Sequence, residues 1–168
     1  MKLPKDRSEV VASTIVDGVE IGLVKHTTHI EAFTLTNYRG ETLRWNVTKA
    51  LELVAAGRVI RKERLSAEVM LSVAENNEWT DDGVANADPS VPGIAAPVVE
   101  NGAVMFVLID GIHRCVRSIV DLASGVEGAK PFEAWLLTAD ANRECLMIAP
   151  DYLVPATLPD DLLKGDGS

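Results

Sequence analysis

Residues 104–125, VMFVLIDGIHRCVRSIVDLASG, constrain the fold more than any other stretch of the chain. VMFVLI is an apolar run of the kind a strand shows when both its faces are covered. Asp110-Gly111 ends it. Beyond the turn, Ile112, Cys115, Val116, Ile119, Leu122 and Ala123 recur at helical spacing and mark a buried stripe, and Gly125 closes the helix. His113, Arg114, Arg117 and Ser118 fall on the other side, within the first two turns. A helix N-terminus offers unpaired N–H groups and a partial positive charge, so acids belong there. Basic residues break that rule, and the conflict disappears if an anion docks at this end. Gly111 would let the backbone approach such a ligand closely. The competing reading leaves His113 and Arg114 in solvent and pairs Arg117 with Asp121 one turn on.

The chain has 168 residues, enough for one compact domain. No apolar run approaches the roughly 18–20 residues of a membrane span. MKLPKDRSEVV lacks the apolar stretch of a secretory signal, so a cytoplasmic location is expected. The net charge of −9 disfavours binding to DNA along the whole surface, which needs many Lys and Arg contacts. Cys115 and Cys145 read as reduced thiols, and with no close ligand pair except His26 and His29 a structural zinc site is not expected.

Residues 1–13 read as a polar lead-in. IVDGVEIGLV reads as a hairpin, HIEAFTLTNY as a strand and Arg39-Gly40 as a turn. Asn46 and Ser66 read as N-caps of two helices, the first ending at Gly57. WTDDGVANADPSVPG is dense in turn formers and reads as a long loop. IAAPVVE pairs with AVMFVLI through Asn101-Gly102. PFEAWLLT forms a further strand, ADANRECLMI a short helix, and the proline-containing tail an extended segment with frayed last residues. This mixture predicts an α+β fold. The expected organisation is a strand-rich extension packed on the core (1–57), a central domain (58–150) and a tail (151–168).

The strand, the Asp110-Gly111-Ile112-His113-Arg114 turn and the helix it opens resemble the signature of the ParB/sulfiredoxin superfamily, in its DG-x-HR form. The order of flanking elements over roughly residues 58–140 agrees. The resemblance implies a mixed sheet flanked by helices and a nucleotide-phosphate site at Asp110, Gly111, Ile112, His113, Arg114, Arg117 and Ser118. ATP or CTP with Mg²⁺ would be the ligand, and His113 and Arg114 would stabilise phosphoryl charge. Ile112 stands where sulfiredoxins carry a nucleophilic cysteine, so sulfinic acid reduction is not expected. It also replaces the acidic residue that partition proteins associate with nucleotide hydrolysis, and too little chain follows for their helix-turn-helix domain. The chain is similar in size to the oncogenic-suppression and fertility-inhibition proteins of conjugative plasmids. By analogy it would hydrolyse ATP or CTP, or cleave DNA, in a plasmid- or phage-related role. The alternative is a non-catalytic module that binds and inhibits a partner protein of conjugation or defence.

Glu63 and Glu68, flanking the start of the second helix, are candidate acidic helpers, but read as a solvated helix face first. Asp81, Asp82 and Asp88 could meet Mg²⁺ beside phosphates or serve as turn residues. His26 and His29 read as surface histidines before metal ligands. Trp45, Trp79 and Trp135 read as core or interface before base-stacking platforms. Glu144, like Cys145, has no evident partner in the sequence.

Overall fold

The structure, a computed structural model, describes residues 6–28 and 30–164, with side chains at 14–20 and 30–164. Strands β1 (Asp6–Val16) and β2 (Val19–Thr28) form the first hairpin, turning at Asp17 (φ 50°) and Gly18 (φ 76°). Residues 6–13 are therefore strand rather than lead-in. Every side chain from Thr14 to Glu20 is exposed. Thus the tip of the extension is not packed on the core.

Strands β3 (Ala32–Thr36) and β4 (Thr42–Asn46) follow, and β4 also pairs with β9 (Leu146–Ile148), giving the order β3-β4-β9. Helix α1 (Val47–Ala55) starts where the Asn46 side chain accepts the Lys49 N–H at 2.9 Å. A second sheet runs β5 (Val59–Arg64), β8 (Glu133–Leu137), β6 (Gly93–Glu100), β7 (Ala103–Asp110). Here β6 and β8 are parallel, while the β5–β8 and β6–β7 pairs are antiparallel. Helix α2 (Ala67–Asn76) is capped by Ser66, and α5 (Ala139–Cys145) by Thr138.

The four-stranded sheet divides the core in two. On one face Ile94, Ala96, Val98, Ile109 and Leu137 pack with Leu43, Trp45, Ala50, Leu53 and Ala141. On the other face Ala95, Leu108, Ala134 and Leu136 pack with Met70, Val73, Cys115 and Phe132. The alternation along β6 and β8 is the period of two that a strand imposes. Because Trp45 and Leu53 belong to the first cluster, residue 57 is no packing boundary. Pro97 is tolerated within β6 because β8 pairs only with Gly93 to Ala95, so no β8 neighbour faces its missing N–H. Its carbonyl accepts Asn142 Nδ2 at 2.9 Å, and Asn142 Oδ1 accepts Trp45 Nε1 at 2.8 Å, which satisfies a buried polar group between the two sheets.

Three expectations change. The long loop contains a one-turn helix, α3 (Asp81–Ala85), because the Thr80 hydroxyl caps the Gly83 N–H and two acids occupy its first turn. The tail contains a 3₁₀ turn (Asp151–Leu153) and a short helix, α6 (Asp160–Lys164), and Leu153 enters the first core. Residues 165–168, expected to fray, lie outside the described residues. Strand β7 is buried only towards its end, at Leu108 and Ile109, while Met105 is 43% exposed.

Candidate functional site

Helix α4 (Ile112–Ala123) begins directly after β7, through Gly111 in the left-handed region (φ 99°). No side chain caps it and its first turn holds no acid. The space that Gly111 leaves is already filled. A Cβ there would lie 3.0 Å from the Phe132 ring and 3.1 Å from Gly93 Cα. Thus its backbone angle and the close packing within the fold account for Gly111 without a ligand.

The three basic side chains of the motif converge on the segment 80–92. His113 Nε2 accepts the Thr80 N–H at 3.2 Å. Arg114 donates to the carbonyls of Val91 at 2.9 Å and Pro92 at 2.8 Å, and to Asp110 Oδ2 at 2.8 Å. Arg117 donates to the carbonyls of Val84 at 3.3 Å and Ala85 at 2.8 Å, and to Asp121 Oδ1 at 2.9 Å. They form a clasp that holds α3 and the following turn over the first two turns of α4. The Arg117–Asp121 pair is the one expected from simple i,i+4 spacing. Arg114 and Asp110 make a second such pair with both side chains about one-fifth exposed, at 20% and 19%. Within the segment, the hydroxyl and backbone N–H of Ser90 hold the Asp88 carboxyl below its usual range, with a smaller contribution from Arg114.

Helix α4 does not bury the whole expected stripe. Cys115 and Val116 are buried and Ile112 is half-buried, but Leu122 is 41% exposed and Ala123 is exposed, because only the first two turns lie against the core. Ser118, expected on the ligand side, is buried, so its hydroxyl is not presented to a docked phosphate.

The remaining candidates do not join this cluster. Glu63 lies in β5 and pairs with Arg61 at 3.7 Å, and Glu68 is exposed in the first turn of α2. Asp81 and Asp82 occupy the first turn of α3. Trp45 is fully buried, Trp79 donates to the Ala74 carbonyl, and Trp135 lies under Lys62. Glu144 pairs with Arg58 at 3.1 Å. His29 and the side chain of His26 lie outside the described residues. Burial pushes both thiols up to about 11, which suits core positions rather than nucleophiles. Among the described residues no three His, Cys, Asp or Glu side chains gather as a metal-binding group, and Asp110 is engaged by Arg114. These side chains do not by themselves fit a resident Mg²⁺.

A large groove lies elsewhere and was not read from the sequence. Its volume is about 730 Å³, and it follows the outer edge of β7, between α2 and β3. Its signal in the sequence was the uncharged run AVMFVLI, which is apolar even where no second strand covers it. Among the described residues no helix is long and apolar enough to cross a membrane. In comparisons with protein-family models, with curated proteins and with solved structures, the chain matches none.

Proposed function

We propose that the protein is a ParB-like nucleotide-phosphate-binding module, working in the cytoplasm, that receives the phosphates of ATP or CTP at the start of α4. One observation carries the reading. An uncapped, acid-free helix N-terminus opens under three basic side chains whose contacts to the 80–92 segment run mainly through neutral backbone groups. A phosphate offers the same donors a charged acceptor, and such bonds are roughly twice as strong as neutral ones. Ligand binding would therefore exchange carbonyls of residues 84–92 for phosphate oxygens at Arg114 and Arg117. His113, whose Nε2 now accepts a hydrogen bond, would release Thr80. The first turn of α4 adds backbone donors and the helix dipole.

The proposal is for binding rather than turnover. Asp110, the acid beside the motif, is committed to Arg114, and both thiols are buried. Asp110 and Asp121 each offset one arginine, so a long polyanion such as DNA gains little attraction here.

A titration of ¹⁵N-labelled protein with ATP and CTP tests the site. Amide shifts confined to Gly111–Arg117 and to residues 80–92 are expected. Shifts confined to any other surface, or none at millimolar nucleotide, would contradict it.

A further inference from the structure

We infer that the outer edge of β7 accepts an extended segment of a partner protein as an added strand, and that this segment is apolar in its middle and basic at its flanks. The surface is separate from the α4 clasp, so its failure would leave the phosphate reading untouched.

The first observation is a contrast between the two edges of one sheet. Strand β5, at one edge, reads VIRKER, and Arg61 also donates to the Leu162 carbonyl. Charges and a covering segment are the usual protection of an exposed edge. Strand β7, at the other edge, reads AVMFVLID, with no proline and no charge before Asp110. It pairs with β6 and with no other described strand. A long apolar edge left this way is a template for another strand.

The second observation is the shape of the groove. It wraps both faces of that edge. Towards α2 it is lined by Val69, Val73, Phe106 and Leu108, and towards β3 by Phe33, Leu35, Met105 and Val107. Side chains of a strand point alternately to opposite faces. A strand added to β7 would place them in both halves in turn, which selects an uninterrupted apolar run rather than an amphipathic one.

Charge decides the flanks. Among the described residues, Glu41, Glu68 and Glu100 line the groove against a single cation, Arg39, which is stacked 5.4 Å from the Tyr38 ring centre and donates to its hydroxyl. A second copy of this chain would bring its own acidic surface to this rim, and each copy carries a net charge of −9. Basic flanks match the rim, and like charges across an interface are costly.

The test uses fluorescence anisotropy with a labelled peptide, Lys-Lys-Val-Ile-Val-Leu-Val-Lys-Lys, beside its Glu-flanked counterpart. The full chain should bind the basic-flanked peptide at least roughly tenfold more tightly, and amide exchange should slow along β7. Met105→Lys, at a 43% exposed position, should keep the native melting temperature and weaken binding by about tenfold or more. The Glu68→Lys/Glu100→Lys double variant should reverse the preference between the two peptides. The inference is overturned if neither peptide binds, if flank charge is without effect, or if exchange slows only away from β7. It is equally overturned if sedimentation shows a dimer that Met105→Lys dissociates, because the occupant is then a second copy.

Discussion

Strand β7 borders two surfaces of opposite character. At its C-terminal end the polar groups are already paired: Arg114 with Asp110 and two carbonyls, Arg117 with Asp121 and two more, His113 with Thr80. Along its outer edge the apolar side chains face a groove, and its main chain meets no further described strand. The first surface must give up internal bonds before it can bind. The second gives up only water. Any ligand at α4 is therefore coupled to the position of the 80–92 segment, whereas a strand at the β7 edge needs no rearrangement of the core.

The largest effect that bears on this contrast is at Gly111. Alanine there combines a left-handed φ with a contact of 3.0 Å to Phe132, and should cost about 3 kcal/mol in denaturant unfolding. A neutral change would mean that the β7–α4 joint is not tightly packed. Alkaline pH probes the two cores beneath. Cys115 and Cys145 have folded pKa values raised to about 11 from an unfolded value of about 8.5. Their contribution is intact below the unfolded value and is lost as pH rises towards the folded one, on the order of 2–3 kcal/mol for each thiol by pH 11. Native-state alkylation at pH 8 should be slow, and fast labelling would contradict the burial. Arg114→Ala removes an ion pair and two carbonyl bonds, and should cost about 2 kcal/mol. No loss would show that the clasp is not holding the segment. Gly83→Ala drives a methyl into the His113 ring and should cost about 1 kcal/mol, with a changed His113 NMR signal as the direct readout. Met105→Lys should stay within about 0.5 kcal/mol, and a larger loss would show that the groove closes in solution.

The elements with strong local signals were legible. Asn46 and Ser66 cap helices and Asn101-Gly102 turns a hairpin, because each acts through bonds within a few residues. Strands β4 and β5 were missed: TLRWN alternates, with Leu43 and Trp45 buried on either side of exposed Arg44, but is only five residues long, and VIRKER carries charges on both faces. Helix α3 was hidden in turn-forming residues, although Thr80 followed by two acids is a helix start. The convergence of His113, Arg114 and Arg117 was visible from spacing, but their partners were not. Those carbonyls lie 22 to 33 residues away in sequence, and only tertiary packing brings them near. Leu122 shows the same limit, because periodicity assigns a face without revealing where the helix leaves the sheet.

The most direct test of the α4 account is a thermal-shift titration of the native chain and of Arg114→Ala with ATP, CTP and GTP, with and without Mg²⁺. A ligand that binds only the folded state raises stability by RT ln(1 + [L]/Kd), about 2.7 kcal/mol at a hundredfold excess over Kd. The account predicts a rise with ATP or CTP in the native chain that disappears in Arg114→Ala. A rise that survives the substitution, or no rise with any nucleotide, would contradict it.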